Sequence, residues 1–502
     1  MGWDVWLLLG AGIVIAAILA VRVAHRSGLP SLLIFLGLGL VVGESGLGLQ
    51  FENPELAQQM GLVALAIILA EGGLTTNWNH VRRSVPTALV LATIGVGVSI
   101  VAVAVPVRLL LGMDWRTSLL LGAILASTDA AAVFSVLRRL PLPPRLAGIL
   151  EAESGLNDAP TVIAVMLLSA ATSPSLGSAL LLVAFELVVG ALVGLAVGPL
   201  GVYALRRIAL PVSGLYPIAV LALAFVAYAG AVLLHGSGFL AVYLASLVMG
   251  NSRMPHRAAA RGFAEGVAWL AQIGLFVMLG ALASPSEIPA AIVPGLVAGL
   301  ILVLLARPLS IVVSAFLVRL AGVDRLNWRE QTFLSWAGLR GAVPIVLATI
   351  PWAAAGSSTG GTAKLVFNEV FVIVVVYTLV QGPTLPFVAK LLGLSTPDEA
   401  RDLEVESAPL EELNADLLQI RVPPTSKLHG VEIFELRLPT DAQVTLIVRD
   451  GRTFVPADST RIRIDDQLLV VTTAACRDPV ERRIRAISRR GKLAGWFGEL
   501  GA

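Results

Sequence analysis

Between residues 151 and 160 the chain reads Glu-Ala-Glu-Ser-Gly-Leu-Asn-Asp-Ala-Pro. Glu153, Ser154, Asn157 and Asp158 thereby set carboxylate, hydroxyl and amide oxygens within about one and a half helical turns. These are hard oxygen donors of the kind that suit a partly dehydrated alkali cation. Burial disfavours an ionised carboxylate, whereas a bound cation or a neighbouring arginine favours it, so Asp158 can hold a proton or a metal ion but hardly both. That mutual exclusion is the minimum machinery for an exchange. In a soluble protein the same residues would read as a helix start, with Ser154 as its cap and the acids facing water. The surrounding chain decides between the two readings.

Hydrophobic residues make up 56% of the 502, charged ones 14%, and the mean hydropathy is +0.84, which excludes a soluble protein. Residues 1–390 hold 21 Lys/Arg and 16 Asp/Glu, whereas residues 391–502 hold 15 and 18. A large membrane region therefore gives way to a small polar one near residue 392. The net charge of +2 conceals this division and supplies no basic face for nucleic acid. A single cysteine, Cys476, excludes a disulfide framework and a cysteine-based metal site.

A bilayer core of ~30 Å needs ~20 apolar helical residues per crossing. Thirteen segments qualify, at about 3–21, 29–43, 60–79, 84–107, 116–137, 147–171, 176–204, 208–233, 237–250, 262–284, 288–318, 329–353 and 363–389. Ile208–Ser252 has no charged residue over 45 positions and divides at His235-Gly-Ser-Gly238, an outer turn with no complete nucleophile-elbow frame. The first segment lacks the basic start and the cleavage site of a signal peptide and reads as a retained helix. Loops after odd-numbered segments collect fifteen arginines, and those after even-numbered ones hold Arg108, Arg116 and Lys364. Because cytoplasmic loops gather Lys and Arg, the N-terminus is expected outside and the polar C-terminal region in the cytoplasm.

A charge at mid-bilayer needs a partner or a function. The span residues that raise this question are Glu71, Asp129, Glu151, Glu153, Asp158, Glu186, Glu265, Arg307 and Arg340. Acids outnumber bases, which favours a cation as cargo. Segment five contains Ser127-Thr-Asp129, and segment twelve runs from Ser335 through Gly338, Arg340 and Gly341 to Pro344. Both read as interrupted helices, tolerated at that depth only where protein or a wet cavity covers the freed backbone. Seven segments apart, they run in opposite directions, as an inverted repeat requires. Asp129 reads as a helix cap more than as a ligand, and Arg340 is expected to pair with Glu153. Glu186 and Arg307 are expected to snorkel or to bond internally. Gly190, Gly194 and Gly198 form a stripe suited to close helix packing.

Leu69-Ala-Glu-Gly-Gly-Leu74, Ser127-Thr-Asp-Ala-Ala131, Glu153-Ser-Gly-Leu-Asn-Asp158, Gly238-Phe-Leu-Ala-Val-Tyr243 with Gly250-Asn251, and Gly338-Leu-Arg-Gly-Ala-Val343 together resemble the monovalent cation:proton antiporter-1 family, NhaP-type. The resemblance covers nearly all of residues 1–390. It implies an α-helical polytopic membrane protein of about 13 transmembrane helices, with inverted repeats, crossed broken helices and a six-helix ion-carrying core. It also implies a homodimer in a bacterial inner membrane, with no cofactor and no enzymatic chemistry. Asp158 would be the titrating carboxylate and Asn157 would stand in place of a second Asp. Glu71, Ser154 and Thr128 would lie beside the ion, and Glu153 and Arg340 would form a structural ion pair.

Residues 405–490 resemble a TrkA-C domain, a small α/β cytosolic module, after a linker at 392–404 and before a tail at 491–502. Leu417–Val422, Gln443–Arg449 and Gln467–Thr472 read as strands, Asp450-Gly451 as a hairpin turn and Val431–Leu436 as a short helix. The basic tail Arg482–Lys492 suits either anionic lipid or a solvated terminal helix. No Gly-rich nucleotide-binding half precedes the domain, so NAD is not expected. A small effector such as cyclic di-AMP or another nucleotide fits such domains. The expected function of the transmembrane domain, residues 1–391, is electroneutral potassium/proton antiport, with sodium/proton antiport as its alternative. A cation channel gated by the cytosolic domain is the competitor from another class, but no T-V-G-Y-G-like filter run occurs.

Overall fold

In lipid, a charge-poor run can satisfy its backbone only as a helix, so the membrane region folds as a succession of helices wherever hydropathy is high. The computed structural model describes residues 3–491 except 28–29, 45, 47, 49–52, 130–141, 171–174, 209, 356–359, 395–403, 411–414 and 474–475. It divides into two units, Met1–Ser395 and Thr396–Ala502. The first opens with α1 (Trp3–Ser27), α2 (Ser31–Val42), α3 (Pro54–Thr75) and the short α4 (Trp78–Val81). Segment four joins α5 (Val85–Val90) to α6 (Val96–Leu111) through a π turn at Leu91–Gly95, and α7 (Trp115–Ala126) begins segment five. Segment six is α8 (Pro144–Leu156) with α9 (Asp158–Ser169). There follow α10 (Leu176–Ile208), α11 (Leu215–Leu233), α12 (Gly238–Asn251) and α13 (Arg257–Leu282). Segment eleven joins α14 (Ile288–Ile301) to α15 (Arg307–Leu320) through a second π turn at Leu302–Ala306. Segment twelve is α16 (Trp328–Trp336) with α17 (Ala342–Ala354), and α18 (Gly360–Leu391) ends the unit.

Helix therefore lies on each of the thirteen expected segments; the second half of segment five, from Ala130, is outside the described residues. Among the described residues seven stretches are long and apolar enough to cross a membrane, and five more apolar helices are shorter. The π turns stand at corresponding places in segments four and eleven, seven segments apart, and each packs on the other's helix pair. A π turn frees a backbone carbonyl from the helical ladder. In the first of them Ser310 Oγ donates to Gly95 O at 2.8 Å.

Small residues set the closest approaches. A Cβ on Gly190 would meet Ser237 O at 2.5 Å, one on Gly194 would meet Ala241 O at 2.6 Å, and one on Gly198 would meet Ala245 O at 3.1 Å. The glycine stripe of α10 is thus the face that packs on α12, at a spacing of four on both helices. Ser237 starts α12 by accepting from Leu240 N, so His235–Gly238 is a turn with a cap. The same logic joins α12 to α3: a Cβ on Gly73 would lie 2.6 Å from Tyr243 O, and Asn251 accepts from Trp78 N at 2.9 Å while donating to Thr76 O at 2.9 Å.

The second unit is an antiparallel sheet in the order β1-β2-β5-β3-β4, built from Glu404–Leu410, Ala415–Arg421, Ala442–Arg449, Arg452–Phe454 and Gln467–Thr473 as β1 to β5 in chain order. Leu418 faces Val470 and Ile420 faces Leu468 across the β2–β5 register, and all four are buried, as the period-two pattern requires. Asp450 and Gly451 have φ of 51° and 75°, the left-handed pair of a tight hairpin turn. Two expectations change. Val431–Leu436 shrinks to one 3-10 turn at Ile433–Leu436, which ends where Arg437 turns left-handed at φ 45°. The basic tail instead begins within α19 (Arg477–Arg490), whose Val480, Ile484 and Ile487 are buried in the same core as the sheet.

Candidate ion site at the helix crossing

α7 stops at Ala126 because Ser127 is extended, with φ −67° and ψ 142°. α16 stops at Trp336 and the helix resumes only at Ala342. The two breaks meet. Asp129 N donates to Leu339 O at 3.1 Å, Ala342 N donates to Asp129 Oδ2 at 2.9 Å, and Arg340 Nη1 donates to Ser127 O at 2.6 Å. Each break thus supplies the charge that compensates the other's helix end: a carboxylate at the positive start of α17, and a guanidinium at the carbonyl end of α7. Asp129 is the cap that its sequence context suggests, but the helix it caps belongs to the opposite repeat. A Cβ on Gly341 would overlap the Asp129 carboxylate, so glycine is what admits it. Thr378 of α18 adds a hydrogen bond of 2.6 Å to Arg340 O.

Asp158 reaches this crossing from segment six. Pro160 has no N–H to give to the Leu156 carbonyl, and the helix changes direction at Asn157, which leaves Asp158 as the first residue of α9. Ser127 Oγ donates to Asp158 Oδ1 at 2.6 Å. Asn157 Nδ2 donates to Thr128 Oγ1 at 2.6 Å, and the Thr128 and Ser154 hydroxyls share a hydrogen bond of 3.1 Å. Ser127, Thr128, Ser154, Asn157 and Asp158 are all buried. Asn157 Oδ1 has no hydrogen-bond partner among the described residues, which leaves an amide oxygen free on the residue that precedes Asp158 in the chain. A narrow cavity runs past Asp158 and Asp129, closed from α3 by Leu65, Ile68 and Leu69 and reached from α13 by Gln272. Carboxylate, amide and hydroxyl oxygens in a confined, largely apolar setting can replace part of the hydration shell of a monovalent cation, or hold a proton.

The expected Glu153–Arg340 pair is not formed. Glu153 is paired instead with Arg307, through Nη1–Oε1 at 2.5 Å and Nη2–Oε2 at 2.9 Å, with both side chains buried. The π turn immediately before Arg307 adds a residue to the helical count and brings α15 into a phase that turns this side chain inward. Gly338 makes room for it: a Cβ there would lie 2.7 Å from Arg307 Nε. Glu71 is half-buried on α3 and is not among the residues that line the cavity, although Ile68 and Leu69 on the same helix are. Glu186 contributes a backbone carbonyl, which accepts from Ser237 N at 2.8 Å. Two site residues escape a search for charges. Ser127 is the hydroxyl on Asp158, and Gln272 is the uncharged polar side chain that lines the same cavity from α13.

Residues 13–391 match the family described as sodium/hydrogen exchanger, transmembrane, and residues 417–476 match the TrkA-C domain. The K(+)/H(+) antiporter NhaP of Alkalimonas amylolytica is 35% identical over 470 residues, covering 91% of this chain and 79% of that protein. The K(+)/H(+) antiporter NhaP2 of Shewanella oneidensis is 32% identical over 501 residues, covering 98% and 85%. The Na(+)/H(+) antiporter ApNhaP of Aphanothece halophytica is 28% identical over 425 residues, covering 80% and 77%. Among solved structures, the sodium proton antiporter MjNhaP1 of Methanocaldococcus jannaschii superposes with a TM-score of 0.64 at 23% identity, over 77% of this chain and 99% of that one, and so shares the fold. With the family match spanning residues 13–391, most of the helical unit, the chain belongs to the sodium/hydrogen exchanger family of membrane transporters and carries a C-terminal TrkA-C domain.

Proposed function

We propose that the protein is an electroneutral antiporter that exchanges one monovalent cation for one proton by alternating access, with Asp158 holding each in turn. One observation carries this reading: Asp158 is the carboxylate left over at the crossing. Glu153 is matched by Arg307, and Asp129 and Arg340 are each matched by the opposite helix end, so two arginines stand against three carboxylates. With Asp158 empty, the core has one uncompensated negative charge and is costly to carry through a bilayer. A bound cation or a bound proton neutralises it equally, which couples the two one for one. Asp158, Asn157 Oδ1 and the Ser127 hydroxyl are the proposed ligands. Thr128 and Ser154 hold Asn157 in place, and Glu71 belongs to the path of the ion.

Potassium is the first reading of the cation, because relatives named K(+)/H(+) antiporters are 32% and 35% identical over most of the chain. Sodium is the second, supported by the more distant relative named a Na(+)/H(+) antiporter. The arginine-rich odd-numbered loops support a bacterial inner-membrane protein with its N-terminus outside and its TrkA-C domain in the cytoplasm. A homodimer and a small effector at that domain, cyclic di-AMP or another nucleotide, complete the proposal. Purified protein in liposomes with a preset pH gradient and an internal pH dye tests it. Potassium, sodium or both should discharge the gradient, and Asp158→Asn should abolish the discharge. Exchange by that variant at the wild-type rate would remove Asp158 from the cycle.

A further inference from the structure

Glu369 lies in α18 with its side chain fully buried (0% exposed), and neither carboxylate oxygen has a hydrogen-bond partner among the described residues. It stands nine residues, or about 14 Å, along the helix from Gly360. Its backbone carbonyl lies against Gly295 of α14.

The charges on the helices packed around α18 are otherwise engaged. α14 and α17 contain no charged residue. Glu287, which precedes α14, pairs with Lys364 of α18 at 2.7 Å, and this pair is partly exposed. Arg116 of α7 donates to the carbonyls of Leu168, at 2.8 Å, and of Ala170. In α16, Glu330 pairs with Arg145 at 3.2 Å and Arg329 stacks on Trp328, at the other end of the bundle from the start of α18. No base therefore compensates Glu369 from these helices, and an ionised carboxylate there would be an isolated charge at membrane depth. Asn368 Oδ1, on the preceding residue, is buried and also without a partner, and one amide oxygen is too few to replace the hydration shell of a cation. Asn368 Nδ2 reaches Glu287 Oε2 at 3.5 Å, so a polar contact joins the exposed Glu287–Lys364 pair to the residue that precedes Glu369 in the chain.

We propose that Glu369 is a second proton-binding site, separate from Asp158 and closed to cations, loaded from the end of the bundle where α14 and α18 begin. Its bound proton lets α14 and α18 stay packed. Raising the pH on that side removes the proton, and the carboxylate then draws water into the α14–α18 contact and slows the carrier. The proton-linked stabilisation is complete at low pH and is lost as pH rises.

The test uses full-length protein in lipid with its glutamate carboxyl groups carbon-13 labelled, so that aspartates do not contribute to the shifted infrared band. At neutral pH a protonated glutamate carbonyl band is expected, and it should disappear as the pH is raised on the α14–α18 side. Glu369→Gln and Glu369→Leu should both lack that band. In liposomes wild-type transport should decline as the pH is raised on that side, and Glu369→Gln should keep its neutral-pH transport and lose this decline. A wild-type spectrum without the band, or a Glu369→Gln profile with an unchanged alkaline decline, overturns the proposal. Should neither variant fold, the wild-type titration decides alone: a band that follows pH on that side supports the site, and no such band overturns it.

Discussion

Arg307 and Glu153 are joined by two parallel hydrogen bonds beneath the break in segment twelve, while Arg340, within that break and just ahead of α17, turns to the Ser127 carbonyl instead. The two arginines divide the work. Arg307 compensates Glu153, the acid five residues before Asp158, and Arg340 holds the end of α7 that carries Ser127, Thr128 and Asp129.

Removing one partner of a buried, bidentate pair leaves the other charge stranded, at a cost of about 3–5 kcal/mol. Glu153→Gln and Arg307→Gln should therefore each lower thermal stability and monodisperse yield sharply, and the double variant should recover part of the loss. Arg340→Gln should couple weakly to Glu153→Gln. A double-mutant cycle in detergent measures both, and strong coupling of Glu153 to Arg340 rather than Arg307 would reverse the assignment.

Asp129 caps α17 through the space that Gly341 leaves. Gly341→Ala pushes a methyl group into the carboxylate and should cost transport while the protein remains folded enough to purify. Asp129→Asn keeps an acceptor for Ala342 N but loses the charge, so it should lose less transport than Asp129→Ala. Uptake in liposomes ranks the three; equal activity in Asp129→Ala and wild type would show that the cap is dispensable.

Asn157 donates to Thr128 and leaves its own oxygen free beside Asp158. Asn157→Asp would place a second carboxylate in the core, so that one bound cation leaves a negative charge where two bound protons leave none. Wild-type exchange should be flat against an imposed membrane potential, whereas any transport that Asn157→Asp retains should follow it. Voltage dependence in the wild type would contradict one-for-one exchange.

Much of this was legible in the sequence because apolar length, arginine alternation and acid motifs are local signals. Asp158, Asn157, Ser154 and Thr128 do gather, and Gly338 and Gly341 do mark the break. The partner of Glu153 was not legible, since the regular helical period hides the π turn that aims Arg307 inward. Gln272 was missed because it carries no charge. Glu369 carried a signal that was available, an acid inside segment thirteen, but no motif surrounds it.

The TrkA-C match ends at residue 476, yet the core of that unit continues into α19, where Val480, Ile484 and Ile487 are fully buried and Arg483 donates to Leu436 O at 3.1 Å. Ser426 and Ser488 hydroxyls share a further buried hydrogen bond of 2.7 Å. Each aliphatic side chain contributes about 1.5–3 kcal/mol on full burial, so three of them approach the ~5–15 kcal/mol that separates a folded domain from its unfolded chain. A chain stopped after Cys476 should lose protease resistance within residues 415–473 while its helical unit stays intact, and one stopped after Gly491 should keep it. Limited proteolysis of the two truncated proteins in membranes distinguishes these outcomes. A resistant chain ending at Cys476 would show that α19 is an appendage to the sheet and does not belong to its core.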